Sequence, residues 1–224
     1  MFQERPLADG GRRGASRAPV PPPRTERGRR TRARILEAAE EVFHRDGFHR
    51  ASIVDITRGA GVGQGTFYLY FPSKEALFVE LVRQMGHEMR RRLHQVTSKA
   101  PTRAQAERAG IRAYLEFVAQ HPAMYRIVRE CEFVDHAEFK SWYEQLADGY
   151  VQGIRTAMQA GEFRELDPET VAYCLMGMGD FLGMRLVAWD GARQVPAGAV
   201  DTAMEVVLNG LLRPGRLDSP DLPP

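Results

Sequence analysis

Residues 52–74, SIVDITRGAGVGQGTFYLYFPSK, restrict the fold of this chain more than any other stretch. Ser52 and Asp55 have the spacing of a helix N-cap followed by an acid at the third helical position. Ile53, Ile56, Ala60 and Val62 give the short helix that follows one apolar face. Gly59-Ala60-Gly61 ends it, because glycine accepts the left-handed backbone of a helix stop. A second short helix is predicted over 64–70, until Pro72 interrupts it. Two short helices joined by a glycine turn make a helix-turn-helix, whose second member has the size to enter a DNA major groove.

The side chains of that second helix are unusual for a core element. Gln64, Thr66, Tyr68 and Tyr70 all donate hydrogen bonds, Gly65 lets a backbone come close, and Lys74 adds a positive charge just beyond. Phe67 and Phe71, four apart, are the inward anchors. The pattern Gly61-Val62, Gly65-Thr66-Phe67-Tyr68, Tyr70-Phe71, Ser73-Lys74-Glu75 and Leu77 resembles the DNA-binding signature of TetR/AcrR-family transcriptional regulators over residues 30–80. The resemblance implies that Gln64, Gly65 and Thr66 open the recognition helix. It implies that Thr66, Tyr68, Tyr70 and Lys74 contact DNA, mostly its backbone, and that Ser52 lies near a phosphate while also capping its own helix. Leu69 stands where the family commonly has an aromatic residue, and it suits a thymine methyl; Gly63 stands where a Ser is common. A phosphate-cradling nucleotide loop fits the glycines poorly, since no Gly-Lys-Ser/Thr follows and the loop comes after a helix.

Charge is distributed in the same sense. Residues 1–100 hold 19 Lys+Arg against 11 Asp+Glu, and residues 101–224 hold 12 against 18. A basic first half that also carries the motif points to a polyanionic partner. Residues 1–28, with Pro21-Pro22-Pro23 and many arginines, read as a disordered basic tail; Arg24 and Arg27 in it and Arg29, Arg30 and Arg32 just beyond are placed to follow DNA phosphates or enter a minor groove. The first helix is predicted over 31–45 from the stripe Ile35, Leu36, Ala39, Val42 and Phe43, with Gly47 as its stop. A long helix over 73–97 follows the motif. Further helices are predicted over 102–120, 123–133, 136–160, 168–190 and 196–212, punctuated by Pro122, Gly161, Gly191 and Pro196. No sustained strand alternation occurs, so the expected fold is all-α. Its expected parts are the tail, a helix-turn-helix domain over 29–76, a helical domain over 77–213 and a disordered end over 214–224.

The helix over 168–190 is apolar nearly all round and long enough to span a bilayer. Asp180 and Arg185 inside it, and Asp190 at its end, favour burial within protein instead. Such a helix needs partners on every side, one of them a second subunit. By the family resemblance the last two long helices form a homodimer interface, and the C-terminal domain receives a small apolar or amphipathic effector that releases a repressor from a palindromic operator. Tyr114, Phe117, Met124, Tyr125, Phe133, Trp142, Tyr143, Met176 and Phe181 are the candidate pocket residues, with Arg126 or Arg129 as polar contacts. No cofactor or metal is expected: His87 and His94 lack a third ligand, and Cys131 and Cys174 form no Cys-x-x-Cys pair. The absence of an apolar signal segment near Met1 and the unpaired cysteines suit the cytoplasm. An enzyme would need converging acid, base or nucleophile groups, for which only Asp180 and Arg185 are candidates. The remaining alternative is a helical interaction or ligand-binding protein that reads no DNA sequence.

Overall fold

A computed structural model of the chain describes residues 21 and 23–209. Most of the expected basic tail, the end of the last helix and the C-terminal end over 214–224 lie outside the described residues. Among those described the fold is all-α: α1 (Glu26–Arg50), α2 (Ile53–Gly59), α3 (Gln64–Tyr68), α4 (Lys74–Thr97), α5 (Arg103–Gln120), α6 (Met124–Val134), α7 (His136–Gln159), α8 (Pro168–Gly183) continued by a π-helical turn (Met184–Trp189), and α9 (Ala197–Asn209).

The helix starts are set by side chains. Ser52 Oγ accepts from Asp55 N at 3.1 Å, Ser73 Oγ from Ala76 N at 3.1 Å, Asp135 Oδ1 from Glu138 N at 3.0 Å and Asp167 Oδ2 from Thr170 N at 2.7 Å. Each satisfies an N–H that the helix itself leaves free, a contribution of about 1 kcal/mol. α1 begins earlier than its apolar stripe predicts. Thr25 caps it by accepting from Gly28 N, and Glu26 pairs with Arg29 and Arg30 three and four residues on. A first turn built from charged pairs carries no apolar period, so the stripe misses it. α3 is shorter than the predicted 64–70, because after Tyr68 the chain tightens into i→i+3 bonds, Leu69 N to Thr66 O and Tyr70 N to Phe67 O. The predicted 168–190 helix is α-helical only to Gly183 and then widens into the π turn.

Among the described residues one hydrophobic core runs from α1 to α9. In the first half Ile35, Ala39 and Phe43 of α1 meet Ile56 of α2, Phe67 of α3 and Leu77 and Phe78 of α4, all fully buried. Phe43, Phe48 and Phe78 pack at 4.9–6.0 Å between ring centres, two of the three contacts edge-on. α4 then carries Leu81, Met85, Met89 and Leu93 onward to pack with α5, α6 and α7.

The halves are joined at the end of α1. Gly47 has φ 77° and ψ 166°, a break that turns the chain before Phe48. Glu130 of α6 accepts the freed Phe48 N–H at 2.6 Å, and Arg126 of α6 donates to His44 O at 2.7 Å and Arg45 O at 3.2 Å. Lys74 donates to Phe48 O at 2.7 Å and Ala51 O at 2.9 Å, with its ammonium 4.3 Å from the Phe48 ring centre. A Cβ at Gly47 would stand 2.6 Å from both Arg126 Nη2 and Glu130 Oε1. Gly47→Ala therefore strains the backbone and expels the α6 contacts; a loss of about 1–3 kcal/mol is expected, read as a lower Tm. Gly63→Ala, where a Cβ meets nothing within 4 Å, is the control. Equal melting of the two variants would refute this role for Gly47.

Candidate nucleic-acid interface and adjoining cavities

The turn between α2 and α3 is held from α1. α2 ends with Gly61 N bonding Arg58 O and Val62 N bonding Thr57 O, and Gly61 takes φ 62°. Arg34 of α1 donates to the carbonyls of Ala60 and Gly61, closing the end of α2. Phe67 and Phe71, 0% and 3% exposed, pin α3 to the core beneath.

What α3 and its last turn present outward is mostly polar. Gln64, Gly65 and Tyr68 are exposed, Thr66 is half-buried, and Leu69 is 69% exposed. Among the described residues the side chains of Gln64, Thr66 and Tyr68 make no hydrogen bond. A Cβ on Gly65 would meet nothing within 4 Å, so the fold does not need a glycine there. Tyr70 is half-buried beside α1, its hydroxyl 3.6 Å from where a Cβ on Gly28 would lie. Ser52 both accepts from Asp55 N and donates to Asp55 Oδ2 at 2.5 Å, which commits its hydroxyl proton inside the cap. Lys74 holds two carbonyls at the end of α1, leaving one of its three N–H donors. Of the arginines expected along DNA, Arg29 and Arg30 pair with Glu26, while Arg32 pairs with Glu80 at 2.6 Å and lies over the Phe71 ring.

The second half contains cavities around Trp142 and Tyr143. One of about 240 Å³ lies between α6, α7 and α8 and is lined by Met124, Tyr125, Trp142, Tyr143, Asp180 and Phe181, among others. A space of about 30 Å³ beside it touches Tyr114, Trp142, Tyr143, Met176 and Asp180. It adjoins a third, of about 230 Å³, between α4, α5 and α7. Seven of the nine expected pocket residues thus line cavities. Phe117 does not: it is 1% exposed, stacked on His121 at 4.3 Å in the core. Phe133 does not either, being 81% exposed near the end of α6, where the apolar period of the helix has run past its buried face. Phe181 reaches its cavity only at the rim and is 60% exposed. Arg126 points to α1 rather than the cavity, whereas Arg129 lines it.

Asp180 is the polar centre that apolar periodicity concealed. Its polar atoms are engaged within the chain, and Arg185, the other charged residue of the segment, faces Asp190 at 3.8 Å. Tyr114 Oη lies 2.9 Å from Asp180 Oδ1 and 3.1 Å from Tyr125 Oη, which lies 2.8 Å from the Asp180 carbonyl oxygen. Tyr114 donates to the Asp180 carboxylate and Tyr125 to the Asp180 carbonyl, so both hydroxyl protons are engaged on this one residue. Burial pushes the Asp180 carboxyl above its usual range, while the Tyr114 bond and the Arg129 charge oppose that shift. Burial likewise raises both tyrosines, so neither gives up its proton.

Comparisons with known proteins decide the family. A family model described as "Bacterial regulatory proteins, tetR family" matches residues 35–81. The HTH-type transcriptional regulator YdgC of Bacillus subtilis is 30% identical over 190 residues, covering 84% of this chain and 96% of that protein. The chain belongs to the TetR family. It is a DNA-binding transcriptional regulator, not an enzyme. The fatty acid metabolism regulator protein of B. subtilis is 28% identical over 153 residues, 65% of this chain and 78% of its own. Among solved structures, the fatty acid degradation regulator FadR of Bacillus halodurans shares the fold with a TM-score of 0.73 at 20% identity, over 82% of this chain and 97% of its own. FadR of B. subtilis, solved in complex with stearoyl-CoA, shares it with a TM-score of 0.71 at 22% identity, over 80% and 99%.

Two outcomes follow for this TetR-family regulator. Gly65→Ala should leave Tm unchanged or raise it slightly, by about 0.4–1 kcal/mol of added stability, yet weaken DNA binding; unchanged DNA affinity would remove Gly65 from the interface. Asp180 favours its neutral form in the fold, so its contribution is full below the usual carboxylate range and is lost as pH rises toward its raised pKa. Asp180→Asn, which keeps an acceptor and a donor, should therefore gain Tm relative to wild type at pH 8 more than at pH 5. The same difference at both pH values would contradict a raised Asp180 carboxyl.

Proposed function

We propose that this regulator is a cytoplasmic homodimeric repressor that binds a palindromic operator and is released by a small apolar or amphipathic effector. The observation that carries the reading is the outer face of α3: Gln64, Thr66 and Tyr68 have no intramolecular partner among the described residues, and Gly65 faces open space. In this reading Gln64 and Leu69 face base edges, while Gly65, Thr66, Tyr68, Tyr70 and the free donor of Lys74 hold the phosphate backbone. Ser52 acts chiefly as the cap that orients α2, with its backbone N–H available to a phosphate. The domains divide near residue 76, with α1–α3 for DNA and α4–α9 for effector and partner.

A second copy of the chain is supported by the last two helices. Tyr173, Phe181 and Trp189 on α8 and its π turn, and Leu208 on α9, are 44–62% exposed. Phe181 and Trp189 pack edge-on at 5.7 Å on the surface. Residues Pro168–Trp189 have a mean hydropathy of 1.3 over their most apolar window, of which 39% is buried in the chain. Large apolar side chains grouped in this way mark an interaction surface. Val200, Ala203 and Met204 of α9 are spent on α5 within the chain, so only the outer side of α9 remains for the partner. Two recognition helices related by a two-fold axis would meet half-sites about 34–36 Å apart.

Release follows from linkage: an effector that prefers a conformation with the wrong spacing of recognition helices lowers operator affinity by its differential affinity for that state. α4 and the Arg126–Glu130 pair of α6 connect the cavities to α1, so they are the parts that would carry the change.

The test is binding of purified protein to DNA from upstream of its own gene, titrated across salt beside a scrambled duplex. Preference of about 10³-fold or more, falling steeply with salt, is expected. Equal weak binding to both would leave only the basic residues engaged. The double change Phe181→Arg with Trp189→Arg should give a monomer by sedimentation and lose the specific complex; a dimer that persists would place the interface elsewhere.

A further inference from the structure

The cavity between α4, α5 and α7 contains charges that neither the DNA face nor the Asp180 network uses. Arg90 and His94 of α4, Arg103 and Glu107 of α5 and Tyr150 of α7 stand around about 230 Å³. Glu107, 5% exposed, is in ion-pair contact with Arg103 Nη2, but the pair is not aligned as a hydrogen bond. Arg103 Nε is a buried donor with no acceptor. α7 yields space for this guanidinium only because residue 153 is glycine: a Cβ there would coincide with Arg103 Nη1.

Arg90 is the second unanswered cation. Among the described residues it makes no ion pair. Glu138, the acid whose field reaches it, is bound to Arg83 at 2.6 Å. Its Nη1 lies 2.8 Å from where a Cβ on Gly86 would be, a position that Trp142 also crowds. Guanidinium keeps its proton at any ordinary pH, so partial burial cannot be relieved by neutralisation. Two guanidiniums against one carboxylate leave the cavity positive. What it lacks is an anion. Its inner wall, through Leu93, Leu146 and Tyr150, is shared with the small space lined by Tyr114, Trp142 and Met176, which offers an apolar body somewhere to lie.

We propose that this cavity holds a small amphipathic organic anion, its carboxylate or phosphate on the guanidiniums of Arg90 and Arg103 and its apolar part against Leu93, Leu146 and Trp142. The proposal rests on the effector reading above and assigns that effector its charge. Glu107 then orients the site, holding the Arg103 guanidinium at the cavity wall.

The experiment is calorimetric titration of the full chain with octanoate, octyl phosphate, 1-octanol and octylamine below their aggregation concentrations. One or both anions should bind at least about tenfold tighter than the alcohol, as expected for a charge-assisted contact, and the stronger of the two identifies the head group. Arg90→Met should abolish that preference while leaving octanol binding in place. Removing Arg103 alone would strand a buried Glu107, so the second variant is the balanced pair Arg103→Met with Glu107→Gln, which should lose the preference as well. Equal affinity for octanol and both anions, or a preference that survives both variants, overturns the anion site while leaving an uncharged effector pocket intact. Tighter binding of octylamine overturns it in favour of a cation on Glu107 or Asp180. Failure of all four to bind a protein that still binds its DNA overturns both the anion site and the effector pocket.

Discussion

The orientation of the DNA-binding helices depends on how the last turn of α1 is satisfied. A helix end leaves carbonyls without partners, and here they lie between the two halves rather than in open water. Arg126 and Lys74 supply the donors, and Glu130 takes the one N–H that the Gly47 break exposes. Hydrogen bonds to charged groups contribute about 1.5–3 kcal/mol each, more than neutral ones, and these side chains come from α4 and α6. The joint is therefore strong and directional, with few ways to slip. Any movement of α6 against α4 pulls on the same carbonyls that set where α1 ends, and α1 in turn holds the α2–α3 turn through Arg34.

That chain of contacts explains which parts of the fold were legible in the sequence. Caps and glycine stops are local chemistry, so Ser52, Gly61 and Gly161 marked their boundaries without knowledge of the rest. Phe67 and Phe71 declared themselves by spacing. The start of α1 did not, because it is built from Glu26, Arg29 and Arg30, whose pairing leaves no apolar period. The π turn after Gly183 did not either, since the same apolar sequence suits both kinds of helix and tertiary packing chooses between them.

The candidate sites divide in the same way. An interface made by one short helix is readable because sequence neighbours are also site neighbours, and α3 carries Gln64 to Tyr68 in one turn and a half. A cavity collects residues from several helices, and periodicity says only that each faces inward. Phe117 and Trp142 look alike by that criterion, yet one is sealed against His121 and the other borders open space. Phe133 fails differently, lying at a helix end where the buried face has already turned away. Lys74 shows a third limit. Its position suits the proposed DNA contact, but two of its donors are engaged in closing α1, a tertiary role that spacing does not reveal.

The two places where this protein leaves polar groups unanswered are physically unlike. On α3 the free donors face water, which satisfies them at almost no cost until a phosphate or base replaces it. In the proposed anion site, the guanidiniums of Arg90 and Arg103 are partly desolvated, so an anion placed there would offset a penalty that the fold already carries. A ligand that relieves such a penalty gains affinity from the host as well as from its own contacts. It would also draw α4 and α5 toward its head group, and α4 is the helix whose first residue closes the end of α1. The cost of an unsatisfied cavity and the position of the recognition helix are in this way linked through a single element.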